Sequence, residues 1–146
     1  MDAAAAFVEG FTKSWAAPTV ESHSALWHDD IVLIQPLMPK AVGRKQCEEG
    51  FARLFRLIPD LHATVHRWSA AEPDVVFIEF TLAGTFGGRP IEWNAVDRFV
   101  LRDGLAVERV SYFDSLPLGI EMALRPRGWR QLATAGFRPQ LGRLRS

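Results

Sequence analysis

The sequence predicts an α+β fold in which three helices cover one face of a strongly bent, four- to five-stranded antiparallel sheet and enclose an apolar pocket. Two observations carry this expectation. Apolar residues recur at helical spacing as far as Ile58, then alternate as they do in strands from Leu61 to Phe113. Gly87-Gly88 and Asp103-Gly104 interrupt that alternation where hairpin turns are needed, and Asp-Gly is among the strongest short-range hairpin signals. With 146 residues, 48% of them hydrophobic and 11% aromatic, the chain can build one core and still line a cavity.

Phe7, Val8, Phe11 and Trp15 form the buried stripe of a first helix that begins near residue 3 and stops before Pro18. A short second helix is expected from Pro18 to about Trp27, broken by Asp29-Asp30. Residues 31–35 then read as a strand ended by Pro36, and residues 36–43 as a loop. Phe51, Leu54, Phe55 and Ile58 mark the buried face of a third helix, which stops at Pro59. Four strands follow, over residues 61–69, 75–86, 91–101 and 105–113. The main domain is expected to span residues 1–120. Residues 121–146 carry Arg125, Arg127, Arg130, Arg138, Arg143 and Arg145 against one acid, Glu121, and read as a solvated helix with a frayed tail.

Zero formal net charge and a pI near 6.9 provide no field for nucleic acid or anionic lipid, so neither is an expected partner. The opening alanine-rich stretch lacks a basic flank and is soon interrupted by Glu9 and Lys13, which argues against a leader or a spanning helix. A lone Cys47 suits a reducing compartment, and the cytoplasm is the expected location. His62 and His66 would share a helical face, but they fall on a strand, where four residues span roughly 13 Å, too far to share a metal ion. No metal and no cofactor are expected. His23 and His28 read as surface or capping histidines. Gly84 to Gly88 joins strand to strand, whereas a phosphate cradle opens a helix. Cys47, beside Glu48 and Glu49, is a poor nucleophile.

Asp97 is the residue that needs explaining. Alternation places it with Trp93, Ala95 and Phe99 on one face of a strand, opposite Glu92, Asn94, Val96 and Arg98. A carboxylate on an apolar face is hydrogen-bonded, neutralised or used. Asp114 has two readings: a second acid at the site, or the cap of a helix beginning after it. Of Tyr112 and Phe113 only one can face the pocket, and strand register decides which. Glu79 reads as an outward position paired with Arg98 or Arg109.

The loop from Gln35-Pro36 to Gly43-Arg44, the strand entry from Gly88 to Trp93, Val96-Asp97, Arg102-Asp103-Gly104 and the closing Tyr112-Phe113-Asp114 resemble the SnoaL-like proteins. That group shares its cone with ketosteroid isomerase, limonene epoxide hydrolase, scytalone dehydratase and nuclear transport factor 2. The resemblance covers about residues 5 to 116. It implies that Asp97 stands where ketosteroid isomerases keep a protonated carboxyl that donates to the substrate oxyanion. Gln35 replaces their general base, and Phe11 replaces their helix-one tyrosine. The acids and arginine of epoxide hydrolases are matched only by Phe80, Ile78 and Ser111, with Leu33 and Gln35 for their tyrosine and asparagine. In SnoaL-like cyclases an aspartate in the C-terminal half is the acid/base of an aldol closure, a role open here to Asp97 and Asp114.

The implied function is a small cofactor-free enzyme performing proton transfer, of isomerase, cyclase or hydrolase type, on a hydrophobic carbonyl or polyketide-like molecule. Asp97 and Asp114 are its expected catalytic groups. Gln35, Tyr112 and Ser111 are expected to orient the ligand, with Trp93, Phe11, Trp15 and Leu33 as apolar walls. The alternative is a non-catalytic module that binds an apolar ligand or a partner protein. A homodimer is expected through the outer sheet face carrying Glu79, Asn94 and Arg98, and the Ala- and Arg-rich, Lys-poor composition suits a high-GC bacterium.

Overall fold

A computed structural model describes residues 2–137. Helix α1, Ala3–Ala16, starts where the Asp2 carboxylate accepts from the Ala5 amide at 2.7 Å, and it buries Phe7, Val8, Phe11 and Trp15. Helix α2 is only Val20–Ser24, opened by reciprocal hydrogen bonds between Thr19 and Ser22. Strand β1, Trp27–Ile34, begins earlier than the sequence suggested. Asp29 and Asp30 do not break the chain but lie exposed within this strand, where Arg44 pairs with Asp29 at 3.0 Å and Arg102 with Asp30 at 2.8 Å.

The expected loop contains a two-residue strand, β2 (Ala41–Val42), after which Gly43, at φ 85°, opens helix α3 (Arg44–Leu57). Strands β3 (His62–Glu72), β4 (Val75–Phe86), β5 (Arg89–Arg102) and β6 (Leu105–Tyr112) follow as hairpins. The six strands lie in the order β2-β1-β6-β5-β4-β3. The sheet is not wholly antiparallel: the hairpins carry the chain back beside β1, and β6 runs parallel to it.

Among the described residues five helices are present, two of them after the sheet where the sequence suggested one. Helices α4 (Ser115–Ala123) and α5 (Pro126–Thr134) follow the sheet, and residue 120 lies inside α4. Between these helices Arg125 departs from the expected solvated tail, since it is 7% exposed. Its Nη1 donates to the carbonyls of Phe86 at 3.0 Å and Arg89 at 3.1 Å, and its Nη2 donates to the carbonyl of Pro90 at 2.9 Å and to Glu121. Three carbonyls around one tight turn thus hold the guanidinium. Gly128 packs so closely on Phe86 that a Cβ there would fall 2.2 Å from the ring. Arg127 and Arg130 are exposed, whereas Arg138, Arg143 and Arg145 lie outside the described residues.

Under α1 the concave face of the sheet is filled. Phe7 meets Phe99 with ring centroids 4.7 Å apart, and Phe11 packs edge-on against Phe80 at 5.3 Å. Burial of such rings supplies the hydrophobic stabilisation of this half, roughly 2 kcal/mol for each large side chain. Towards β1 and β6 the same face is not filled, and α3, α4 and α5 roof an open space. Among the described residues no helix is long and apolar enough to cross a membrane.

Candidate functional site

That space is a cavity of about 1500 Å³. Leu33 of β1, Trp93 of β5, and Arg109 and Ser111 of β6 form its sheet wall, together with Gln35 and Phe113 just beyond the strand ends. Phe51 and Leu54 of α3, Leu118 and Met122 of α4, and Trp129 and Leu132 of α5 complete the enclosure. The lining is mostly apolar. Its charged members are Lys40, Glu49, Arg53 and Arg109, of which only Arg109 is buried.

Strand register builds the polar centre. Asp97 on β5 pairs with Ser111 on β6, and Phe99 pairs with Arg109, so Ser111 lies on the inner face directly across from Asp97 and Arg109 lies diagonally across from it. Asp97 is fully buried. Its Oδ2 accepts from Arg109 Nε at 2.6 Å and its Oδ1 accepts from the Ser111 hydroxyl at 2.5 Å. Burial pushes the Asp97 carboxyl above the usual carboxylate range, while the Arg109 charge and the two hydrogen bonds oppose that rise. Asp97 does not itself line the cavity; Arg109 and Ser111 stand between it and the open space. The guanidinium carbon of Arg109 lies 5.4 Å from the centre of the Phe51 ring, a cation–π contact.

The other expected site residues divide between cavity, core and surface. Trp15, Leu33, Gln35, Trp93 and Ser111 line the cavity. Gln35 donates from Nε2 to Met38 Sδ at 3.0 Å. Phe11 does not line it and belongs to the packed half with Phe80 and Phe99. Tyr112 points outward, 52% exposed, because its partner Val96 is on the outer face; Phe113 takes the inward place. Asp114 is exposed, caps α4 by accepting from the Leu116 amide at 3.2 Å, and is not part of the cavity.

Two residues have roles that the sequence reading missed. Arg109, expected outward beside Glu79, faces inward, and Glu79 pairs instead with Arg67 at 3.0 Å. His23, expected at the surface, is buried against Trp15, Phe51 and Phe55. Burial first, and then the nearby Arg109 charge, lower its pKa to about 3, so it stays neutral near pH 7. Cys47 is buried, and its thiol is pushed up to about 11, chiefly by burial. Among the described residues no group of three or more His, Cys, Asp or Glu could hold a metal ion.

An arginine, a hydroxyl and a hidden carboxyl at the wall of an apolar cavity can bind an oxygen and move a proton. Comparison with known structures places the chain in a fold with many solved members. A ketosteroid isomerase-like protein from Catenulispora acidiphila is 20% identical, with 84% of this chain and 95% of that one covered at a TM-score of 0.72. A protein provisionally assigned as a SnoaL-like polyketide cyclase from Jannaschia sp. is 19% identical over 82% of this chain and 93% of that one, TM-score 0.70. An epoxide hydrolase of limonene-epoxide-hydrolase type from M. tuberculosis is 21% identical over 90% and 96%, TM-score 0.66. These likenesses concern the fold. No curated protein matches the chain in sequence. The SnoaL-like domain family matches residues 8–109, and the chain belongs to that family.

Proposed function

We propose that the protein is a cofactor-free acid/base enzyme acting on a hydrophobic carbonyl compound. The observation that carries this reading is the Arg109–Asp97–Ser111 cluster, a buried ionic group at the sheet wall of a mostly apolar cavity. A ligand carbonyl beside Arg109 would place developing enolate charge next to a fixed cation. Ser111 is the group in contact with the reacting carbon or its attendant water. As its oxygen accepts a proton, its own hydroxyl proton passes to Asp97 Oδ1. Asp97 is then a positioning and proton-storing residue behind the catalytic hydroxyl. A carboxyl held above its usual range is matched to proton exchange nearer neutrality.

The test uses 2-tetralone, a flat enolisable ketone, with loss of α-deuterium followed by NMR. The wild-type protein is expected to accelerate exchange over buffer, with Ser111→Ala lowering kcat about a hundredfold and leaving KM little changed. No acceleration by the wild-type protein overturns the enzymatic reading. A non-catalytic binding module is the second reading, favoured by a specific observation: both oxygens of Asp97 are engaged, and Gln35 cannot accept a proton from carbon. Tetralone binding without exchange would establish it. The outer sheet face carrying Glu79, Asn94 and Arg98 is proposed as the pairing surface of a homodimer, and sedimentation as a monomer at micromolar concentration would overturn that.

A further inference from the structure

We infer that the ligand of this cavity carries a carboxylate, and that the two Nη groups of Arg109 are its receptor. This rests on the assignment of Arg109 to the ligand site and goes further by naming the ligand's charge. Arg109 is 6% exposed, yet Nε is its only nitrogen with a hydrogen-bond acceptor among the described residues. Neither Nη is among the sealed, unpartnered nitrogens, and the residue lines the cavity, so that edge of the fork opens into it. Asp97 holds the Nε edge and Phe51 covers one face. What remains is a planar pair of donors with their orientation already fixed, which suits two carboxylate oxygens better than one carbonyl oxygen.

The charge of the lining agrees. Lys40, Arg53 and Arg109 face one acid, Glu49. Asp97, paired at the Nε edge, offsets part of the Arg109 charge, but the lining keeps a positive excess and both Nη donors of Arg109 keep no acceptor among the described residues. The apolar walls require the rest of the ligand to be hydrophobic. The ligand class is therefore an apolar carboxylic acid of β-keto type, whose acid group takes the Nη pair and whose adjacent carbonyl lies beside the same guanidinium.

The experiment compares 2-naphthoate with the isosteric neutral 2-naphthamide by calorimetry at pH 7. Wild-type protein is expected to bind the carboxylate at least about tenfold more tightly. In the Asp97→Asn/Arg109→Gln double variant, which leaves no buried charge unpaired, the preference should vanish while naphthamide affinity stays within about twofold. Arg109→Lys, a variant that keeps the charge but loses the fork, should retain only part of the preference and serves if the double variant does not fold. Arg53→Gln, which removes another positive charge of the lining, should lower the preference by less than loss of Arg109 does. Equal affinity of the wild-type protein for both probes overturns the carboxylate inference alone. Binding of neither probe overturns the cavity as a ligand site, and a preference that survives loss of Arg109 or disappears with Arg53 overturns the assignment to Arg109. None of these readouts depends on turnover, so failure of deuterium exchange leaves them standing.

Discussion

The turn between β4 and β5 and the floor of the cavity each bury one arginine, and the two are wired in opposite ways. Arg125 commits both Nη groups to three backbone carbonyls and Glu121, leaving only Nε without a partner. Arg109 commits only Nε and leaves both Nη groups towards open space. A buried cation whose two Nη groups are both filled by the protein's own acceptors fastens one element to another. One whose donors are half used is set up to receive something. The exposures are almost the same, 7% and 6%, so burial alone does not separate the two roles.

Arg125→Met is the largest effect expected on the clamp. It strands the carbonyls of Phe86, Arg89 and Pro90 and should cost about 3 kcal/mol. For a chain of this size that lowers Tm by about 10 °C. The naphthoate preference should be unchanged. Calorimetric melts and the paired probes together check this: an unchanged Tm with a lost preference would mean that the roles of the two arginines had been exchanged.

The clamp and the floor also differ in how far the sequence could disclose them. Leu33 and Trp93 fall on the cavity face by plain alternation, because register along an uninterrupted strand is fixed by its apolar pattern. Arg109 does not. Counting outward from the Asp103-Gly104 turn, Arg102 pairs with Leu105 and Leu101 with Ala106, which would set Arg109 opposite Arg98 on the outer face. The ladder slips by one residue between Val100 and Leu101, so Val100 meets Glu108 and Phe99 meets Arg109. A β-bulge of this kind turns every later side chain of the strand over, and nothing in the local composition announces it. Arg125 was hidden for another reason. Its partners are main-chain carbonyls 35 to 39 residues away, and backbone acceptors carry no sequence signature. His23 was read as exposed because a histidine in a short, capped helix has no apolar period of its own; the aromatic rings around it come from α1 and α3.

His23 tests whether a second positive group helps Arg109. Its folded pKa of about 3 lies below the 6.5 of the unperturbed group, so between those values the unfolded chain binds a proton that the native state excludes. Native stability is fully present above about pH 6.5 and falls as pH drops towards 3, by about 1.4 kcal/mol per pH unit from this group. His23→Phe should flatten that acid-side loss and change stability little at pH 7, since His23 Nε2 makes no hydrogen bond. Asp97 contributes in the opposite direction in both proteins: its raised carboxyl makes the native state lose stability as pH rises past the usual carboxylate range, and it cancels in the difference between them. Denaturant titrations at pH 5 and 7 read the slope. If His23 contributed a positive charge to ligand binding, the naphthoate preference at pH 7 would fall in the variant; the neutral ring predicts that it does not.

Asp114 is the smallest and sharpest of these tests, because the resemblance placed it with the acids of the site and the geometry places it at the start of α4. Its carboxylate accepts from one exposed amide and nothing from the cavity reaches it. Asp114→Ala should therefore cost about 1 kcal/mol, as the loss of an N-cap does. Asp114→Ser, which also caps, should recover most of it. Deuterium exchange and probe preference should be unchanged in both. α4 runs from this cap to Glu121, the acid held by Arg125, so a loss of stability that Ser repairs groups Asp114 with the clamp. A loss of exchange that Ser does not repair would group it with Arg109, and would mean that α4 brings its first turn to the ligand when one is bound.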